Sequence, residues 1–308
     1  MSCKVAERKW VTKDVKDRAL GCMYVLLVGD ALGAPFEFML EGSYSVPEEG
    51  DYVEGGMHYS SPGEWTDDGS MALALADSLS DVGWDRSDQL DRYVDWLDNG
   101  AYTSRGSCFD IGRTTVKALD RYKDSGDPDH AGKPITRFSA GNGSIMRLAP
   151  VPIYCALSYE DTKHAVEMAE SLGRASSTTT HGHRLCVDAA GELSGWLCQL
   201  IRDKDDTELD LGRDPRKAEQ YGVSGFVSDT LDAALWCYRE PDPHSFTFFG
   251  GVVSKAVSLG GDTDTVGAVA GQLAGAAVGL KGIPKGWISK LDGYDMAERI
   301  ITRLVEAH

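Results

Sequence analysis

Apolar residues recur at steps of three and four along most of the chain, which is the spacing of one face of an α-helix. The first such run predicts a helix over residues 14–32, and another predicts a helix with Ser87 as its N-cap. Alternating apolar and polar positions, which would indicate β-strands, are few and short. The pattern therefore predicts an all-α fold. The apolar faces comprise Val15, Ala19, Met23, Leu26 and Leu27, then Leu90, Tyr93, Val94 and Leu97, then Ala165, Met168, Ala169 and Leu172, and finally Leu231, Ala234, Leu235 and Tyr238.

The last apolar segment carries glycines at regular four-residue steps, at Gly267, Gly271, Gly275 and Gly279. Each glycine costs a helix roughly 1 kcal/mol relative to alanine, so its repetition on one face indicates that other backbones pack very closely there. Similar spacing occurs where membrane helices dimerise, but this stretch ends at Lys281 and acidic residues precede it. We therefore expect a central helix, rich in glycine and alanine, that other helices surround.

Three segments are too rich in Gly, Ser, Pro or charged residues for a regular helix: residues 41–65, 123–143 and 202–222. Loops of this length are usually functional or mobile, and the charged third segment is most simply a solvated surface excursion. Helical patterns of similar composition lie on both sides of each loop, so none is typical of a linker between domains. We predict a single domain over residues 1–308.

Acidic residues outnumber basic ones, 48 to 31, which gives a formal net charge of −17. No basic run interrupts this, which argues against binding of nucleic acid; the acidic surface serves solubility or favours cationic substrates. The seven cysteines, an odd number without a Cys-x-x-Cys pair, favour a reducing compartment. The polar N-terminus carries no signal region, and no apolar run approaches the roughly 18 residues of a membrane span. We expect a cytoplasmic, soluble monomer that binds neither nucleic acid nor membrane.

Two acidic clusters carry the candidate chemistry. The first cluster, Trp-Thr-Asp-Asp at 65–68, directly precedes a helical run, and the second cluster, Gly-Gly-Asp-Thr-Asp-Thr at 260–265, opens the glycine-stepped helix. Asp and Thr are ordinary N-caps, and capping explains either cluster taken alone. A cap needs only one oxygen, however, whereas each cluster offers two carboxylates and at least one hydroxyl. Carboxylates crowded in this way repel one another unless a cation neutralises them.

Donor sets made only of oxygen favour hard ions such as Mg²⁺ or Mn²⁺. If the two helix starts converge, six donors could hold two ions, which suits a substrate rich in hydroxyl or phosphate oxygens. Two further segments are candidates for the same pocket. Residues 29–38 leave Glu37 in an irregular position, although a C-capping Gly followed by Pro is common. The glycines of residues 141–147 would let backbone N–H groups approach an anion, unless the segment is a plain turn.

Together these segments resemble the ADP-ribosylglycohydrolase family, which includes hydrolases that release ADP-ribose from arginine and from serine. The matching pieces occur in the family's order and span most of the chain. One position departs from the pattern, since Gly69 stands where many relatives carry a threonine. The pieces are Gly-Asp-Ala-Leu-Gly-Ala-Pro-Phe-Glu-Phe at 29–38, Trp-Thr-Asp-Asp at 65–68, Phe-Asp-Ile-Gly-Arg-Thr-Thr at 109–115, Gly-Asn-Gly-Ser-Ile-Met-Arg at 141–147, Thr-Thr-His-Gly-His at 179–183 and Gly-Gly-Asp-Thr-Asp-Thr at 260–265.

The resemblance implies an orthogonal all-α domain with a centre of two divalent ions, Mg²⁺ or Mn²⁺. Asp264 would bridge the two ions, and Glu37 would lie beside them as ligand, gate or base. His183 is interpreted as structural. The implied metal ligands are Thr66, Asp67, Asp68, Asp262, Asp264 and Thr265, and the residues implied to line the ADP-ribose cleft are Gly112, Gly141, Asn142, Gly143, Ser144 and His181.

The reaction that the resemblance implies is metal-dependent hydrolysis of ADP-ribose from a modified protein side chain or a small ADP-ribosyl compound. A carboxylate, either Glu37 or a metal-bound residue such as Asp67 or Asp264, would accept the proton of the attacking water. We expect an arginine linkage, because Asp110 would face the guanidinium; alternatively, Asp110 caps a helix that begins near Ile111. Other possibilities are hydrolysis of serine-linked or O-acetyl-ADP-ribose, an inactive ADP-ribose-binding or structural relative, and an unrelated two-metal phosphohydrolase.

Overall fold

The computed structural model describes residues 8–307 except 48–49, 135, 137–138 and 206–222. Over this part of the chain the backbone forms thirteen α-helices and no β-sheet, so the predicted all-α fold is confirmed. The helices are α1 (Lys13–Gly33), α2 (Asp67–Asp81), α3 (Arg86–Asn99), α4 (Arg113–Ser125), α5 (Pro128–Ala131), α6 (Pro150–Ser158), α7 (Thr162–Ser177), α8 (Arg184–Asp203), α9 (Val227–Arg239), α10 (Phe248–Ser258), α11 (Thr263–Val278), α12 (Lys285–Ser289) and α13 (Tyr294–Glu306).

Helices α1 and α11 form the centre of the molecule and run antiparallel, backbone against backbone. Gly29 packs on Gly267 near one end of the pair, and Gly21 packs on Gly275 near the other. A Cβ atom at either α11 position would lie 3.0 Å or less from the carbonyl carbon of its partner, so no larger side chain fits. Because α11 is buried without interruption over 263–276, the predicted central helix rich in glycine and alanine is confirmed.

Among the described helices, the stretch Lys13–Phe36, which is α1 and the short turn after it, is the one that is long and apolar enough to cross a membrane. The expectation that no apolar run approaches that length does not hold for this helix. However, 94% of its apolar window is buried inside the protein. The core helices of globular proteins can be as long and as apolar as a membrane span. The packing of α1 on α11 accounts for the burial of this helix.

The helix starts depend on local caps. Helix α1 begins within one residue of its predicted start, because the side chain of Thr12 accepts a hydrogen bond from the Val15 backbone N–H. The sequence pattern predicted Ser87 as the N-cap of α3, and this prediction is wrong. The cap of α3 is Asp85, whose carboxylate accepts hydrogen bonds from the N–H groups of Ser87 and Asp88. The stronger acceptor lies two residues earlier and determines where the helix begins.

The predicted loops are partly confirmed. Within 41–65 the described residues form no helix, as predicted. The segment 123–143 is not one continuous loop, because α4 extends to Ser125 and α5 follows it. Gly279 does not extend α11 but ends it, with a φ of 73° that L side chains rarely adopt. The predicted charged excursion at 202–222 lies outside the described residues from residue 206 onward.

Candidate functional site

The N-termini of α2 and α11 meet at the C-terminal end of α1. Asp30, in the last turns of α1, accepts hydrogen bonds from the backbone N–H groups of Thr66 (2.9 Å) and Gly69 (2.8 Å). The hydroxyl of Thr263 donates to the Gly33 carbonyl at 2.8 Å. These bonds attach the start of each helix to α1, which brings the two acidic clusters to one place.

The two clusters face each other across this junction, as the sequence required for a shared site. The hydroxyl of Thr66 lies 3.4 Å from Oδ2 of Asp264, and the hydroxyl of Thr265 lies 3.4 Å from Oδ1 of Asp68. All four side chains are buried, and so is Asp67. Hydroxyl and carboxylate oxygens from helices distant in sequence therefore lie together in one buried region.

Helix capping does not account for these acids. The N-cap of α2 is Thr66, whose hydroxyl accepts a hydrogen bond from the Asp68 N–H, and the N-cap of α11 is Asp262, which makes no capping bond. Capping thus uses one oxygen of the first cluster and no side chain of the second. The buried carboxylates of Asp67 and Asp264 need another explanation, since charged groups are rarely buried without a partner.

Glu37 joins the second cluster through a short backbone pairing. The N–H of Phe38 donates to the carbonyl of Gly261 at 2.7 Å. The glycine is required there because its φ is 75°. Carboxylate oxygens of Glu37, Asp262 and Asp264 consequently lie within 4.8 Å of one another.

Burial and mutual repulsion raise the pKa values of these acids. Burial, followed by the charge of Asp110, raises the pKa of Glu37 to about 9. Burial, followed by the charge of Asp262, raises the pKa of Asp110 to about 7. Burial and neighbouring carboxylates raise the pKa of Asp264 well above its usual range. A cluster of this kind retains protons at neutral pH unless cations replace them.

Several of the buried carboxylates have an oxygen without a hydrogen-bond partner among the described residues. They are Oε2 of Glu37, Oδ2 of Asp68, Oδ2 of Asp110 and Oδ1 of Asp264. Most buried polar atoms in proteins do have a partner, and a set of buried acceptors without donors is what a cation site requires. The donors are oxygens, which suit a hard divalent ion. These acidic groups could therefore hold a metal ion.

A cavity of about 590 Å³ opens beside the carboxylates and contains most of the residues that the sequence predicts for the site. Three of the predicted residues, Thr66, Asp68 and Ser144, are buried and do not belong to its lining. The predicted residues that line the cavity are Glu37, Asp67, Asp110, Gly112, Gly141, Asn142, Gly143, His181, Asp262, Asp264 and Thr265.

Asn142 connects the glycine segment to the second cluster. Its side-chain amide donates to Oδ2 of Asp262 at 2.7 Å and to the Thr230 hydroxyl at 2.9 Å. Its backbone N–H donates to the carbonyl of Gly225 at 3.1 Å. The segment is therefore not an isolated surface turn but one wall of the cavity that contains the acids.

Asp110 faces the cavity and does not cap a helix. Helix α4 begins at Arg113, its N-cap is Gly112, and no side chain caps it. The backbone of Asp110 has a φ of 59°, and its Oδ1 lies 2.9 Å from Nε2 of His58. The capping alternative is wrong because the helix begins at Arg113 and no side chain caps it.

Sequence reasoning missed two side chains, Asp30 and His58. Asp30 lies inside the apolar stripe of α1, and a lone acid in such a stripe was the available signal. His58 belongs to the loop 41–65, and its Nε2 lies between Asp110 and Glu37, which is 3.6 Å away. No spacing in the sequence points to His58, because only the tertiary fold brings that loop over the acids.

The departure at Gly69 has a steric reason. A Cβ atom there would lie 2.7 Å from Cγ of Trp65 and 2.8 Å from Cδ2 of Leu27. The position also supplies one of the N–H groups bound by Asp30. A side chain at this point would displace either the indole or the leucine, so the first cluster here is built without a second threonine.

Comparison with known proteins gives matches that cover nearly the whole chain. A family profile described as ADP-ribosylglycohydrolase matches residues 11–308. The chain is 33% identical to ADP-ribosylarginine hydrolase Tri1 of Pseudomonas putida (strain GB-1), over 94% of this chain and 78% of that protein. It is 33% identical to ADP-ribosyl-[dinitrogen reductase] glycohydrolase of Rhodospirillum rubrum, over 95% of this chain and 96% of that protein. A solved structure described as ADP-ribosylglycohydrolase-related protein complex aligns with a TM-score of 0.74 and 36% identity, over 96% of this chain and 99% of that one.

Proposed function

The chain belongs to the ADP-ribosylglycohydrolase family, and from this membership and the geometry of its site we propose that it hydrolyses the bond between ADP-ribose and a modified arginine side chain. The predicted enzyme class, a glycohydrolase, agrees with the family. The observation that carries the proposal is the convergence of buried carboxylates with unpartnered oxygens and a glycine segment on one cavity. The proposed partner is an ADP-ribosylated protein or a small ADP-ribosyl compound.

The proposed site would hold two divalent ions, Mg²⁺ or Mn²⁺, with Asp264 among the residues that bind them. When bound, such ions supply positive charge that polarises ribose hydroxyls and lowers the pKa of a water molecule. The unpartnered oxygens of Asp68 and Asp264 support this assignment. The proposed ligands are Thr66, Asp67, Asp68, Asp262, Asp264 and Thr265.

The side chains around the acids would orient the substrate and move a proton. Glu37 is the proposed base, because it lies beside the second cluster and lines the cavity. Its carboxylate would accept a proton from the attacking water as positive charge develops on the ribose. The backbone at Gly141 and Gly143 would lie along the diphosphate, since glycines allow an anion to approach the backbone closely.

Asp110 is the proposed basis for an arginine preference. Its carboxylate is in the cavity, is not used as a cap, and has one oxygen without a partner among the described residues. A guanidinium offers several N–H donors in a plane and pairs well with a carboxylate. A serine or acetyl linkage offers no such charge, so it would gain little from this acid.

Asp110→Asn tests the proposal by changing only the charge of this side chain. Hydrogen bonds to a charged group contribute about 1.5–3 kcal/mol, so kcat/KM for ADP-ribosyl-arginine should fall roughly 10- to 100-fold. Release of ADP-ribose from O-acetyl-ADP-ribose should change far less. The matched control is Asp120→Asn, on the exposed face of α4, which should leave both activities unchanged.

Three results would contradict the proposal. An equal fall on both substrates would mean that Asp110 maintains the whole site without recognising arginine. Release of inorganic phosphate in place of ADP-ribose would indicate a phosphohydrolase. Absence of Mn²⁺ and ADP-ribose binding in calorimetric titration would indicate an inactive relative.

A further inference from the structure

Arg147 is a buried cation that the proposed reaction does not use. Its side chain is fully buried, and no carboxylate among the described residues lies within ion-pairing distance of it. Its guanidinium donates instead to the Gly143 carbonyl at 2.7 Å, and to the hydroxyls of Thr180 at 2.6 Å and Thr179 at 3.2 Å. A buried guanidinium is costly unless its donors are satisfied. Nε of Arg147 has no partner among the described residues, but both terminal nitrogens donate to neutral acceptors, which hold the side chain in one orientation.

These bonds determine the direction of the next one. A guanidinium only donates, so the Thr180 oxygen accepts and its own hydrogen remains free to donate. That oxygen lies 2.8 Å from Nδ1 of His181. Thr180 is completely buried, and no other acceptor for its hydroxyl is found in the part of the chain that is described. Nδ1 of His181 therefore accepts, which leaves the proton of a neutral imidazole on Nε2.

The Nε2 edge of His181 faces the glycine wall of the cavity. A Cβ atom at Gly143 would lie 3.1 Å from Nε2, and one at Gly141 would lie 3.5 Å from it. His181 itself lines the cavity, whereas Arg147 and Thr180 do not. Burial, followed by the charge of Arg147, lowers the pKa of His181 to about 3. The imidazole is thus neutral at physiological pH and retains one donor toward the cavity.

We propose that Arg147 is a positioning residue that acts through Thr180 to fix His181 as the Nε2-protonated tautomer, so that a neutral N–H donates to an oxygen of bound ADP-ribose. The relay runs from the Arg147 guanidinium to the Thr180 hydroxyl and then to His181 Nδ1. The ligand assignment rests on the proposed function, but the tautomer does not. Gly143 contacts both ends of the relay, since its carbonyl accepts a hydrogen bond from Arg147 and its backbone lies against the imidazole of His181.

The tautomer is measurable by NMR of the full-length, metal-free protein labelled with ¹⁵N-histidine. Loss of one signal in His181→Gln assigns the residue, and the wild type should show a protonated Nε2 and an unprotonated Nδ1. Thr180→Val removes the hydroxyl at nearly constant volume and should abolish that preference. In calorimetry the Kd for ADP-ribose should then rise roughly 10-fold, the loss of about one neutral hydrogen bond.

Two conservative variants make the test specific. Thr180→Ser keeps the hydroxyl and should retain both the tautomer and the affinity. Thr179→Val removes the other hydroxyl that accepts a hydrogen bond from Arg147. That hydroxyl makes no hydrogen bond to His181, so the tautomer should stay unchanged. A wild-type Nδ1–H signal, or a Thr180→Val protein with unaltered tautomer and affinity, would overturn the relay. If the wild type shows the Nε2–H form but does not bind ADP-ribose, the relay stands and the proposed function is overturned.

Discussion

Asp264 is the single residue on which the proposed metal site depends most. Its Oδ2 is within 3.4 Å of the Thr66 hydroxyl, its Oδ1 has no partner among the described residues, and its neighbours are other carboxylates. Asp264→Asn keeps the shape and removes the charge, so Mn²⁺ binding and turnover should be lost, with kcat at least about 10³-fold lower. Calorimetry with Mn²⁺ and an ADP-ribose release assay measure the two effects. Normal activity with unchanged metal dependence would contradict the bridging role.

Asp30 supports the first acidic cluster although it does not line the cavity. Burial raises its pKa to about 7, although the N–H groups of Thr66 and Gly69 oppose that shift. Asp30→Asn leaves one acceptor where two oxygens accept now, so the start of α2 should move. Residues that orient metal ligands typically change affinity 10- to 100-fold, and we expect a weakening of Mn²⁺ binding of about that size. Unchanged affinity would show that the first cluster keeps its place without Asp30.

At the scale of elements, the fold depends on the antiparallel contact of α1 and α11. A Cβ atom at Gly271 would lie 2.8 Å from the Val25 carbonyl carbon, and one at Gly275 would lie 2.6 Å from that of Gly21. Gly271→Val or Gly275→Val should therefore lower the free energy of unfolding by about 1–3 kcal/mol or more. Urea denaturation measures this change.

Gly286 in α12 is the matched control for these helix substitutions. Among the described residues, and apart from the chain neighbours and the nearby backbone of α12, no atom lies within 4 Å of the position a Cβ would take there, so Gly286→Ala should be neutral or stabilise by up to about 1 kcal/mol. If the α11 variants unfold at the same urea concentration as the parent, α11 is not the central helix.

For the whole molecule, the raised pKa values predict how stability changes with pH. In the native protein Glu37 binds its proton up to about pH 9, whereas the unfolded chain loses it near 4.5. The native state therefore holds more protons between these values, and its stability falls as pH rises through that window. His181, with a pKa lowered to about 3, has the opposite effect, but only below its unfolded value of 6.5.

The effect of Glu37 on stability is therefore best measured between pH 7 and 9, where His181 does not oppose it. In EDTA the Tm should decrease across that range, and Glu37→Gln should reduce the slope. A divalent cation should raise the Tm most at the high-pH end, because it binds the ionised carboxylates of the native state. A Tm that rises with pH in EDTA, together with no effect of Mn²⁺, would argue against a proton-holding metal site.

The sequence by itself determined the properties that depend on neighbouring residues. Helical periodicity predicted the all-α fold and placed the start of α1 within one residue, since hydrophobic spacing and Thr12 act locally. The four-residue glycine step predicted a central helix, and the six matching segments predicted the family. Both acidic clusters were recognisable because each is contiguous. Ser87 was misplaced as a cap because several nearby residues can accept the same N–H bonds.

Only the tertiary structure decided what those local pieces do together. It placed Asp30 under the first cluster, brought His58 over the acids, turned Asp110 into the cavity and joined Arg147 to His181 through Thr180. Apart from the hydrogen bond between Thr180 and His181, these contacts join groups that are far apart in sequence. These contacts depend on how helices and loops that are distant in sequence pack against one another. The four-residue glycine step predicted that other backbones pack closely on α11, but not which side chains that packing brings together.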